Sequence, residues 1–403
     1  MGYKTYTCQI AKRCGGCELL AVPYELQLKR KQGAMEDLFR EVCTQDGLSV
    51  DPIRGMAEPL SYRHKAATPF APGSRATGGH MRCGFYERGS HRIVYCKECL
   101  GEAPGTRRIL RDVARVADDL RISAYAEDRG RGVLRHAVVR MGYATHEALL
   151  TVVTNGTTLP HADAFVRRLR KLHPELTSVV QNVNDRRTNA ILGTRNRTLY
   201  GPGIMHDRLL GCIFEIGPTS FYQTNPAQTE VLYRLVLEGV GVEWDGSAGG
   251  VSGSAGAIGT SGTISTLLDA YCGTGTISLF LAREAARVCG VEIVPPAIEN
   301  ARENARLNGM EDRMDFITAD VFDLLPKLEE EGSPYDFIIL DPPAFTKSRA
   351  AVEHASHGYK QINYEALRLL PRGGYLATCS CSHFMSADWV IDLGPDGGRA
   401  GGE

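Results

Sequence analysis

From residue 264 onward, short apolar runs alternate with longer segments whose apolar positions follow a helical period. This predicts strands near 266–271, 287–292, 314–319, 335–340 and 373–379, with helices over 276–286, 295–308, 321–330 and 359–370. Strands and helices in strict alternation are the pattern of a doubly wound α/β sheet. Ahead of it, 227–238 reads as a linking helix. The run Gly132–Asn155 has strand composition on both sides of a turn at Gly142 and opens a β-rich middle domain reaching about Ile216, while Pro23–Val42 looks helical. Residues 245–263 are almost all Gly, Ser, Ala and Thr, too poor in apolar side chains to order themselves, and are expected to form a flexible surface loop. The expected division is a Cys-rich region over 1–125, the β-rich domain over 126–226, the α/β domain over 227–393, and a disordered Gly-rich tail over 394–403.

At 403 residues the chain is long enough for two or three cores. No apolar run approaches the roughly 20 residues that cross a bilayer, and the first residues lack the apolar stretch of a signal peptide. A cytoplasmic monomer without membrane contact is expected. The net charge of -1 conceals an asymmetry: residues 1–135 hold 23 Lys and Arg against 16 Asp and Glu, and the remainder 23 against 31. The front part is therefore the better candidate for touching phosphate.

Asp269-Ala-Tyr-Cys-Gly-Thr-Gly-Thr276 follows an apolar strand and opens a helix, so Gly273 and Gly275 let the backbone turn and approach a ligand. A dinucleotide site would carry a third glycine where Ser278 stands. Asp269 instead suits the charged amino acid part of S-adenosylmethionine. Glu292 ends the second strand, where a carboxylate accepts ribose hydroxyls, and Asp320 ends the third, in position for the adenine amino group. Asp341-Pro-Pro-Ala-Phe345 ends the fourth strand in a loop stiffened by two prolines, suited to holding a flat base against an aromatic ring. Thr378-Cys-Ser-Cys-Ser382 ends the fifth. Carbon 5 of a pyrimidine is a poor nucleophile until a thiolate adds to carbon 6, and Cys379 and Cys381 lie on one face of the strand for that task.

Twelve cysteines without a secretory signal argue for metal binding or catalysis over disulfides. Cys8, Cys14 and Cys17, with Cys96 and Cys99 far downstream, have a spacing that serves a four-iron cluster or zinc equally well.

Together these residues resemble the uracil-C5 RNA methyltransferases that act on ribosomal or transfer RNA. The likeness runs from Cys8 to about Asp320. It includes Cys14-Gly-Gly-Cys17, Gln27, Lys29, Tyr62-Arg63-His64-Lys65, Gly89-Ser90-His91, Lys97-Glu98-Cys99, Gln181-Asn182-Val183-Asn184 and Ser220-Phe221-Tyr222-Gln223-Thr224-Asn225. It implies a class I (Rossmann-like) S-adenosylmethionine methyltransferase domain preceded by a Cys-rich cluster domain. Cys8, Cys14, Cys17 and Cys99 would hold a [4Fe-4S] cluster, while Gln223, Tyr271, Glu292 and Asp341 would contact the cofactor. The implied reaction is 5-methyluridine formation in 23S ribosomal RNA, ribosomal in preference to transfer RNA, through a covalent adduct with Cys381.

Beyond Asp320 the sequence is more similar to the cytosine-C5 ribosomal RNA methyltransferases, at Asp341-Pro-Pro-Ala-Phe-Thr-Lys, His357-Gly-Tyr-Lys-Gln-Ile-Asn363 and Cys379-Ser-Cys-Ser-His383. Formation of 5-methylcytidine is thus the second reading. The uracil enzymes use a Glu downstream of the nucleophile as base, and here the only one is Glu403. The last two strands of such a sheet are also absent, so the chain reads as truncated. A non-catalytic RNA-binding protein is the third reading.

Overall fold

A computed structural model describes residues 4–187, 189–240, 264–332, 335–346 and 351–381. The loop expected at 245–263 and the tail expected at 394–403 lie outside the described residues. The front begins with a single turn, α1 (Ala11–Cys14), closed by Gly15 at φ 66, whose N–H returns to the Ala11 carbonyl. The helix expected over 23–42 breaks at Phe39 into α2 (Tyr24–Leu38) and α3 (Arg40–Asp46). No α2 side chain is buried, so no core holds one long straight helix there.

β1 (Lys65–Ala71) pairs antiparallel with both β2 (Arg82–Cys83) and, across the chain, β5 (Leu134–Met141). β3 (Phe85–Tyr86) and β4 (Ile93–Val94) form a short ladder beside it. The sheet continues through β6 (Ala148–Thr154), β7 (Leu176–Val183) and β8 (Arg195–Tyr200), in the order β2-β1-β5-β6-β7-β8. It therefore crosses position 125, where the sequence pattern suggested a boundary. Two helices the pattern reading passed over, α4 (Thr106–Asp119) and α5 (Ala162–Leu172), cover one face. Ile109, Leu110, Val113, Phe165 and Leu169 pack there on Ala66, Ala137, Val139, Leu150 and Val152. The middle of the chain is thus an α/β layer. The hairpin β9 (Met205–Leu209) and β10 (Cys212–Ile216) leaves that layer, burying Phe214 and Ile216 with Leu267, Leu279 and Phe316 of the last sheet. α6 (Pro226–Gly239) starts where the Asn225 side chain accepts from the Gln228 N–H, with Pro226 in the first turn.

The last sheet is parallel throughout, in the order β13-β12-β11-β14-β15. Its strands are β11 (Ile264–Ala270), β12 (Ala285–Glu292), β13 (Met314–Thr318), β14 (Phe337–Leu340) and β15 (Tyr375–Thr378), close to the expected spans. α7 (Thr276–Leu281) and α8 (Pro295–Leu307) pack on one face, α9 (Val321–Glu330) and α10 (Val352–Leu369) on the other. The order reverses between β11 and β14, which opens a crevice at the carboxyl ends of these strands. α7 ends at Leu281, five residues before the expected 286, because Ala285 pairs with Ile264 as strand despite its helical propensity. Six residues are too few for a free helix. Burial of Leu279, Phe280 and Leu281, roughly 1.5–3 kcal/mol each, holds it in place.

Candidate active site

Asp269 is the next-to-last residue of β11 and has no solvent exposure. The Ser278 hydroxyl donates to its Oδ2, whereas Oδ1 is buried without a partner. Burial, reinforced by the charges of Asp341 and Glu292, pushes the carboxyl up to about 7 against the pull of Ser278. Just beyond, Tyr271 (φ 72), Gly273 (φ 56) and Gly275 (φ 79) take left-handed backbone and swing the chain into α7. A Cβ on Gly273 would meet open space, but one on Gly275 would stand 3.0 Å from Leu279 Cδ1 and 3.3 Å from Ala301 Cβ. The buried Asn304, which the pattern reading missed, fixes this loop. Its Nδ2 donates to the Thr274 carbonyl at 2.9 Å, and its Oδ1 accepts from the Glu215 N–H at 2.7 Å.

The remaining acidic residues line the same rim. Glu292 closes β12 and accepts the Val294 N–H at 2.9 Å. Asp320 stands two residues past β13 and caps α9, its Oδ1 accepting from the Phe322 N–H at 2.9 Å. One of its oxygens is thus committed to the helix. The Tyr271 hydroxyl is buried without a partner, in the field of both Asp320 and Glu292. Gln223 hydrogen-bonds the Tyr233 hydroxyl, which also donates to Thr276 Oγ1 at 3.4 Å and feels Asp341 and Asp269. Tyr233 is a second residue the sequence reading did not find, since an apolar helix position carries no sign that its hydroxyl reaches the start of α7.

Asp341 follows β14, and burial raises its carboxyl. Across from it, the backbone N–H of Cys379 donates to the Leu340 carbonyl at 2.8 Å and continues the β14–β15 ladder. Burial, then the charges of Asp341 and Asp269, push the Cys379 thiol up to about 12. Cys381 is exposed, its Sγ lies 3.6 Å from the Pro342 carbonyl, and burial together with Asp341 raises its thiol. Asp269, Asp341, Cys379 and Cys381 are thus brought together at the crevice. Phe345 is placed otherwise than expected: its ring is committed to Tyr359 (4.5 Å between centroids), Phe322 (5.7 Å) and Tyr271 (6.3 Å). The loop therefore turns that ring into the core, and Pro343 is its exposed member.

In the front segment, the charges of Cys8 and Cys14 reach Cys17, whose thiol is raised chiefly by burial, while Arg63 opposes that rise. Arg63 also faces Cys99. Cys96 is buried, is pushed up to about 12 by burial, and feels Cys99 and Cys8. Among the described residues no three His, Cys, Asp or Glu side chains form a group that holds a single metal ion. No described helix is long and apolar enough to cross a membrane.

Residues 264–392 match the family model of a methyltransferase domain. An uncharacterized RNA methyltransferase of Halalkalibacterium halodurans is 39% identical over 336 residues, spanning 83% of this chain and 68% of that protein. Another, of Oceanobacillus iheyensis, is 35% identical over 380 residues, 92% of this chain and 77% of its own. Among solved structures, the tRNA (uracil-54, C5)-methyltransferase of Pyrococcus abyssi in complex with S-adenosyl-L-homocysteine has a TM-score of 0.63 at 23% identity, covering 87% of this chain and 74% of that one. At that identity the likeness is one of fold.

Proposed function

This chain belongs to the RNA methyltransferase family and depends on S-adenosylmethionine, and on that premise we propose that it methylates carbon 5 of a pyrimidine, uracil first, through Cys381. The observation that carries the reading is the position of Cys381 Sγ, 3.6 Å from the carbonyl of Pro342 and in the field of Asp341, at the rim where Asp269 lies. S-adenosylmethionine supplies the methyl group and a positive charge. The unpaired Oδ1 of Asp269 and the unpaired hydroxyl of Tyr271 are the groups set to bind its polar parts. Glu292 and the free oxygen of Asp320 take its ribose and adenine, Gln223 and Asp341 border it, and Gly273 and Gly275 give it room.

In the reaction, the Cys381 thiolate bonds to carbon 6 of the base, and the electron pair displaced onto carbon 5 takes the methyl. A base then removes the carbon 5 proton as the sulfur–carbon 6 bond breaks. Burial, then the charge of Asp341, raise both thiols in the free protein, so a cation in the crevice favours the thiolate. RNA containing 5-fluorouridine tests the proposal, because fluorine cannot leave as a proton. The parent protein should form a covalent adduct stable to denaturation, and Cys381→Ala should form none. An adduct that persists in Cys381→Ala would overturn the assignment.

One observation favours cytosine as the second reading: Asp341, beside Cys381, is a carboxyl able to accept from an exocyclic amino group. The likeness of residues 341–383 to ribosomal RNA enzymes points to ribosomal RNA. For the front segment we propose that Cys8, Cys14, Cys17 and Cys99 hold a [4Fe-4S] cluster. The all-thiol donor set and the fields of Cys8 and Cys14 at Cys17 fit that group, as does Arg63, a cation against the negative charge of a thiolate cluster. The cluster would supply a structural tie to a segment whose first two helices, α1 and α2, have no buried side chain.

A further inference from the structure

Lys65 of β1 and Arg140 of β5 are directly opposed in the antiparallel register, so their side chains leave the sheet on the same face. Like charges so placed repel, and the usual remedy is a carboxylate between them. Among the described residues neither side chain has an ion pair. Arg140 is 5% exposed, its guanidinium donates through one nitrogen to the Ser220 carbonyl, and its Nε is buried without a partner. Lys65 is exposed, and partial burial of its side chain, then the Arg140 charge, push it down to about 8. Asp207, a buried carboxylate of the same junction, is already engaged by the Tyr143 and Ala144 N–H groups and the Tyr222 hydroxyl.

The pair sits where the two large sheets meet. The His64 N–H donates to the Thr224 carbonyl at 2.9 Å, and Ser220, which takes Arg140, lies three residues before Gln223. Two cations facing one another without a counter-ion, one with an unused donor, beside the segment that carries Gln223, form a receptor waiting for an anion. We propose that Lys65 and Arg140 bind one phosphodiester of the substrate RNA. This separates labour at the junction, with backbone phosphate held by the basic front sheet and the base passed to the acidic rim. It rests on RNA as the substrate class and is independent of which atom is methylated.

The test measures binding of a fluorescein-labelled single-stranded dodecauridylate to the full chain from 50 to 200 mM salt, for the parent, Lys65→Gln and Lys65→Arg. Loss of one phosphate contact on a single strand lowers the slope of log affinity against log salt by ~0.7, so the parent's advantage over Lys65→Gln should shrink roughly 2.6-fold across that range. Lys65→Arg should keep the parent's slope, and the affinity of all three for S-adenosylhomocysteine should be equal. A Lys65→Gln slope equal to the parent's overturns the proposal, as does a parent whose binding ignores salt. So does a loss confined to S-adenosylhomocysteine, which would make the anion the cofactor's own carboxylate.

Discussion

Replacing Asp269 by asparagine should stabilise the cofactor-free protein, and more so at pH 8 than at pH 5. In the folded chain the carboxyl is fully buried and pushed from 3.8 up to about 7. Because the raised group binds its proton more tightly folded than unfolded, its full stability is present below the ordinary carboxylate range and is lost as pH rises toward 7. At about 1.4 kcal/mol for each pH unit between those two values, the cost above pH 7 is on the order of 4 kcal/mol. Asparagine carries no charge to bury and still offers an oxygen to the Ser278 hydroxyl. Urea unfolding of parent and Asp269→Asn at pH 5 and pH 8 reads the difference directly. The variant's advantage should grow between the two pH values by a few kcal/mol, while its affinity for S-adenosylhomocysteine collapses. An advantage that does not grow with pH would show that Asp269 is not the strained carboxylate described here.

Three further outcomes follow from the same geometry. Gly275→Ala forces a side chain into a left-handed backbone 3.0 Å from Leu279 Cδ1, and should lower stability by about 1–3 kcal/mol in thermal unfolding; unchanged stability would mean that the loop is looser than its packing indicates. Tyr271→Phe removes a buried hydroxyl that has no partner, so the free protein should be no less stable, whereas calorimetry should show S-adenosylhomocysteine binding weakened by about 1 kcal/mol or more. Cys99→Ser should reduce the iron bound after anaerobic purification and the absorbance near ~400 nm expected of a cysteine-ligated cluster, and equal iron in both proteins would remove Cys99 from the ligand set.

The parallel sheet was legible chiefly because its central strands, β14 and the second half of β11, are buried on both faces and read as apolar runs bounded by turn residues. The glycine turn after Asp269 was legible for a similarly local reason, since positive φ demands glycine at positions 273 and 275. What escaped depends on distant partners. β1 belongs to the middle sheet only through pairing with β5, some 70 residues on, and nothing within Lys65–Ala71 announces it. α4 was readable in principle from Ile109, Leu110, Val113, Val116 and Ala117, but arginines among them obscured the period. α10 begins seven residues before the expected 359, since Ala355, Tyr359, Ile362 and Ala366 already share one buried face. At the site, the acidic rim followed from strand order, whereas Tyr233 and Asn304 entered through tertiary contacts alone. Asp320 was placed by strand order, and the structure adds that one of its oxygens caps α9.

The reaction itself is tested most directly by digesting ribosomal RNA to nucleosides after incubation with the protein and isotopically labelled S-adenosylmethionine, and weighing the products. The account predicts label in 5-methyluridine, absent when Cys381 is alanine. Label in 5-methylcytidine would move the chemistry to the other pyrimidine, and label on an amino group or a ribose, or none at all, would contradict the account.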